Sequence, residues 1–115
     1  MNPNADRRQS PRYPADPEVR CELVLGEALK LESQAIHNLS AGGFRLATDL
    51  LMPVGLEGVA CFTDRAGQLY CQPGFRVVYC YEQPGRGYVL GAAFHRDLTP
   101  DELERLRDGG TGGAP

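Results

Sequence analysis

Three guanidinium groups fall within six residues of this chain, at Arg7, Arg8 and Arg12. Arginine makes planar, forked contacts to phosphate and to the O6/N7 edge of guanine. Pro11 disfavours helix here and pushes Ser10 towards extended backbone. In an extended segment Arg8, Ser10 and Arg12 share one side. The Cα atoms of Arg8 and Arg12 then stand roughly 13 Å apart, at about 3.3 Å per residue. That span suits a ligand with two acceptor-rich ends better than one small anion. A second cluster lies at residues 38–43. Asn38 offers a donor and an acceptor, and Ser40 a hydroxyl. Gly42 and Gly43 let backbone approach a bulky group with no Cβ in the way.

The elements that must position these groups read as β-structure. Pro11, Pro14 and Pro17 make residues 7–17 a stiffened, extended arm, and Tyr13 is placed to pin it to the body through its ring. Alternating apolar and polar residues predict a first strand over 18–25, with Val19, Cys21, Leu23 and Leu25 on one face. A turn at Gly26 and Glu27 leads to a second strand over 29–37, pairing antiparallel with the first. Residues 38–43 break the pattern and join it to a short third strand, 44–47. A fourth strand covers 55–62, and residues 64–67 form a tight hairpin loop. The fifth, 69–81, is interrupted at Pro73 and Gly74, which mark a bulge or an edge. The sixth covers 88–94. Thr99, Pro100, Asp101 and Glu102 then read as N-cap, proline at the first helical position and acidic first turn, with Thr99 and Glu102 as a capping box. This predicts a helix over 99–108, stopped by Gly109 and Gly110. It is too short to persist alone, so Leu103 and Leu106 must dock on the strands. Residues 1–6 are expected to be disordered and 109–115 a flexible tail. The expected fold is all-β: a six-stranded antiparallel β-barrel, closed or nearly so, with a short C-terminal α-helix.

Composition limits what such a fold does. The chain has 115 residues, 42% of them hydrophobic, enough for one domain with one modest core. Its net charge of -3 argues against DNA or RNA binding through bulk charge, so the arginine triplet is a local feature. No apolar run approaches the roughly 20 residues needed to span a bilayer, and the N-terminus carries no apolar secretory core. The expectation is a cytoplasmic protein without membrane insertion. Cys21, Cys61, Cys71 and Cys80 form no C-x-x-C pair and read as buried thiols in a reducing compartment. His37 and Ser40 have no G-x-S-x-G elbow and no acidic partner, and His37, His95 and the cysteines fit no standard metal spacing. Neither catalysis, a metal nor a cofactor is expected.

Taken together, the two clusters resemble the PilZ domain: R-x-x-x-R (Arg8, Arg12) before the first strand and [D/N]-x-S-x-x-G (Asn38, Ser40, Gly43) after the second. Gly91 to Phe94 followed by a capped helix is similar to that family's closing G-x-x-F strand and C-terminal helix. The resemblance covers residues 7–107. It implies a six-stranded barrel that serves as a receptor for the bacterial second messenger cyclic di-GMP. Arg8 and Arg12 would clamp guanine edges and phosphates, Asn38 would face a guanine edge, Ser40 would bond near a phosphate, and Gly43 would permit close backbone contact. Asn38 stands where Asp is commoner and brings no charge. Arg7, directly before the R-x-x-x-R motif, would favour a stacked dimer of the ligand. The implied role is a single-domain receptor whose arm, residues 1–17, folds over the barrel on binding and signals to an effector protein. The alternative is a barrel that docks proteins without nucleotide, for which exposed Leu50, Leu51 and Met52 offer a surface.

Overall fold

The computed structural model describes residues 11–27, 29–32 and 35–108. Among them, eight strands and one helix follow in order: β1 Arg20–Leu25, β2 Leu29–Leu31, β3 Ile36–Ser40, β4 Gly43–Thr48, β5 Glu57–Thr63, β6 Leu69–Cys71, β7 Gly74–Gln83, β8 Gly87–Phe94 and α1 Pro100–Leu106. The class is all-β with one short C-terminal helix, as expected. Strand alternation explains the core. In β1, Cys21, Leu23 and Leu25 are buried while Arg20 is exposed. Phe44 and Leu46 of β4, Phe75 and Val77 of β7, and Leu90 and Phe94 of β8 complete the same cluster.

All strand pairings are antiparallel, in the order β2-β1-β5-β7-β8-β4-β3, with β6 added to β5. The sheet curls tightly. Flat, β4 and β5 would stand about 14 Å apart, three spacings of roughly 4.8 Å. Yet the Phe44 and Phe62 rings meet edge-to-face at 6.0 Å, and Phe44 meets Phe75 at 5.5 Å. Such edge-to-face pairs stabilise by about 1 kcal/mol beyond burial.

Strand number differs from the six-stranded barrel, closed or nearly so, that the sequence predicts, and the sheet does not close. Two expected strands are each split. The span 29–37 separates into β2, which stays on β1, and β3, which crosses to β4. The span 69–81 breaks before Gly74 into β6 and β7. Pro73 has no N–H to give a ladder, but its carbonyl accepts from the Ala60 amide at 2.9 Å. The path also stays open, because β2 and β3 are its two ends. The free edge of β3 is covered instead by the arm, through Tyr13 N–H to the Leu39 carbonyl (2.7 Å) and Leu39 N–H to the Tyr13 carbonyl (2.8 Å).

Helix α1 carries the full capping box of Thr99 and Glu102, and Leu106 is completely buried. It ends at Leu106, two residues short of the predicted limit. Arg107 is extended and bridges Ala15. Asp16 N–H donates to the Leu106 carbonyl (3.0 Å) and Asp108 N–H to that of Pro14 (2.7 Å). Pairing with the arm therefore ends the helix; Gly109 and Gly110 lie outside the described residues. The Arg107 guanidinium rests 4.5 Å over the Tyr13 ring, so Tyr13 does pin the arm.

Other local expectations fare unevenly. The loop at 64–67 is a tight turn, with Asp64 accepting from the amides of Ala66 and Gln68. Of the four cysteines, which are all free thiols, only Cys21 is buried. Burial pushes its thiol pKa up, and that of Cys71 up to about 11. Leu50 and Leu51 are exposed, but Met52 is not: it is 3% exposed and part of the core. Among the described residues no helix is long and apolar enough to cross a membrane.

Candidate functional site

Asn38 and Ser40 belong to β3 itself, and Gly43 opens β4, so residues 38–43 are one hairpin arm, its two-residue turn and the start of the next strand. This corrects the expected break in the pattern. The N-x-S spacing works because it is a strand period: Asn38 and Ser40 share the outer face, while Leu39 between them is fully buried. Ser40 is itself buried, its hydroxyl donating to the Gly43 carbonyl at 3.4 Å.

The arm brings Arg12 onto this hairpin. The Tyr13–Leu39 bridge sets the register, and Arg12 Nη1 donates to Asn38 Oδ1 at 2.9 Å. Two groups from separate motifs, 26 residues apart, thus meet directly. Arg7 and Arg8 lie outside the described residues. Residues 13–16 are held at both ends, on β3 and on the end of α1; of the expected arm, residues 1–10 lie outside the described residues.

The two glycines differ. A Cβ on Gly43 would lie 2.3 Å from the Ala92 carbonyl oxygen of β8, whereas one on Gly42 would make only ordinary contact, 3.8 Å from Asp97 Oδ1. Gly43 is thus required first by the approach of β4 to β8.

Arg12, Ser40, Gly42 and Gly43 line one open cleft of about 800 Å³. Asn38 is tied to its rim through Arg12. Strand register describes the rest, since directly paired residues share a face. One row runs Ser40, Gly43, Ala93, Arg76 and Glu57 across β3, β4, β8, β7 and β5. The next row runs Asn38, Arg45, Gly91 and Tyr79. The Tyr79 ring covers Gly91 closely enough to occupy the place of a Cβ there, and stacks on Tyr81 at 5.9 Å. Tyr81 accepts from Arg45 Nη2 at 2.7 Å.

The far wall of the cleft carries Arg76, Tyr79, His95 and Arg96, none of which the motifs point to. Strand alternation alone turns Arg76 outward between Phe75 and Val77; the bulge after Val77 re-aims Tyr79. His95 Nε2 meets Glu57 at 3.1 Å. Arg96 holds Glu102 in a two-pronged pair at 2.8 and 2.9 Å. That pair, helped by the Thr99 amide, brings the Glu102 carboxyl down to about 2. Arginine donors at both ends of a floor of small residues can hold a ligand rich in phosphate oxygens and purine edges. Among the described residues no cluster of His, Cys, Asp and Glu is placed to hold a metal ion.

The family model described as PilZ domain matches residues 6–109, nearly the whole chain. No curated protein matches significantly.

Proposed function

Since the chain belongs to the PilZ domain family, whose barrel serves as a receptor for cyclic di-GMP, we propose that it is a cytoplasmic, non-enzymatic receptor domain that binds this messenger in the cleft between the arm and the β3–β4 hairpin. The observation that supports the reading is the bond from Arg12 to Asn38, with Arg12, Ser40, Gly42 and Gly43 lining one cleft. On binding, Arg12 and Asn38 exchange part of their mutual contact for phosphate oxygens and a guanine edge. Ser40 presents its hydroxyl next to a phosphate. Arg8 supplies the second guanidinium of the clamp, and Arg7 favours a stacked dimer of the ligand.

Charge-assisted hydrogen bonds contribute about 1.5–3 kcal/mol each, against an ordering cost of roughly 1–2 kcal/mol per residue fixed. Proline has already restricted much of the arm. Several arginine contacts then leave micromolar affinity, about -8 kcal/mol. The signal to an effector protein arises as the segment before Tyr13 closes over the ligand and shifts the population towards a new surface. Titration calorimetry with cyclic di-GMP, using GTP and cyclic GMP as controls, tests the reading. Micromolar binding of cyclic di-GMP alone is expected; no heat with any of the three removes the receptor proposal.

A further inference from the structure

The row of residues that floors the cleft, Ser40, Gly43 and Ala93, ends at Arg76. Three strand spacings separate Ser40 from Arg76, at most about 14 Å in a curled sheet. Arg76 is exposed on the cleft wall opposite Arg12. Its cross-strand neighbour on β5 is Glu57, and opposite charges so placed ordinarily pair. Here Glu57 turns to His95 instead, at 3.1 Å. The His95 ring lies against Gly74, where a Cβ would come within 2.7 Å of Nδ1, so a larger residue at 74 would displace the ring that draws Glu57 away. The other arginine of this wall, Arg96, is held by Glu102. Among the described residues Arg76 has no ion-pair or hydrogen-bond partner, and it lines the cleft.

We propose that Arg76 is a second anchor of the cleft, gripping the half of the ligand remote from Arg12 and thereby selecting a dinucleotide with two phosphate-and-guanine ends over mononucleotides. The inference rests on the receptor reading above and adds a residue and a basis for specificity to it. A guanidinium at this position can fork onto phosphate oxygens or onto O6 and N7 of guanine. The row that leads to Arg76 (Ser40, Gly43 and Ala93) has no side chain larger than that of serine, so a flat, two-ended molecule can lie along it. A mononucleotide reaches one arginine at a time and gains nothing from the second.

The test is titration of cyclic di-GMP and of GMP into wild type, Arg76→Ala, Arg76→Lys and Arg86→Ala, with circular dichroism to show that each is folded. Arg86, in the β7–β8 turn, removes the same charge away from the cleft. Arg76→Ala is expected to weaken cyclic di-GMP on the order of tenfold while GMP changes less than about twofold. Arg76→Lys should recover part of the loss, and Arg86→Ala should match wild type. Equal binding of cyclic di-GMP by wild type and Arg76→Ala overturns the assignment of Arg76 and leaves the receptor reading intact. An equal loss in Arg86→Ala overturns it too, as a bulk charge effect. A wild-type chain that binds no cyclic di-GMP overturns both.

Discussion

The two walls of the cleft are built on different terms. On the arm wall the polar groups already engage one another: Arg12 donates to Asn38, and Ser40 to the Gly43 carbonyl. The residues come from a single hairpin and from an arm bridged to it by Tyr13 and Leu39. On the far wall, Arg76, Tyr79 and His95 come from β7 and the end of β8, which reach the hairpin only through the pairing of β8 with β4. The glycines repeat the contrast. Gly43 faces backbone, the Ala92 carbonyl, while Gly91 faces the ring of Tyr79. One wall is fixed by main chain and the other by a side chain that can turn.

Substitution of those glycines is the strongest way to break the comparison. In Gly43→Ala the new methyl meets a carbonyl that is itself part of the β4–β8 ladder, so the strands must separate. A loss of about 2–3 kcal/mol is expected, visible as a lower urea midpoint, together with loss of ligand binding. Gly91→Ala should cost less, because the Tyr79 ring can swing away, and its tyrosine fluorescence should change. Equal midpoints for the two variants would show that both walls yield alike.

Arg12→Ala separates binding from folding on the arm wall. Arg12 is exposed, and its bond to Asn38 is a surface one, so stability should move by less than about 1 kcal/mol. Affinity for cyclic di-GMP should fall by about tenfold or more, since a charge-assisted contact is worth roughly 1.5–3 kcal/mol. Calorimetry showing unchanged affinity would remove Arg12 from the clamp and leave the arm a purely structural strap.

This asymmetry also decides how much could be read from residues alone. Asn38, Ser40 and Gly43 were legible because a hairpin is local: strand period, turn and glycine all fall within six residues. The capped helix was legible for the same reason, with Thr99 and Glu102 three apart. Arg76 was not, because nothing near it in sequence says that β7 pairs with β8 and β8 with β4. The open path of the sheet is not encoded locally, for a related cause. Residues 29–37 carry one continuous alternation, yet β2 and β3 serve opposite ends of the sheet. α1 ends before its sequence-predicted limit because Arg107 is taken by Ala15, a partner 92 residues away that no helix-end signal encodes.

The smallest expected effect concerns the junction that carries the far wall into α1. Glu102 sits between the Arg96 guanidinium and the Thr99 amide, which bring its carboxyl down from 4.5 to about 2. A carboxyl whose pKa is lowered on folding binds its proton more readily in the unfolded chain. Its contribution is therefore complete above pH 4.5 and disappears as pH falls towards 2. Arg96 is more than half exposed, so solvent screening limits that contribution to about 1 kcal/mol. Glu102→Gln should lower stability at neutral pH by about this amount, while preserving an acceptor for the Thr99 amide. Its urea midpoint should also fall less between pH 5 and pH 2 than that of wild type. Parallel pH profiles for the two chains would mean that Glu102 acts through the helix cap alone and that its pair with Arg96 adds nothing to the fold.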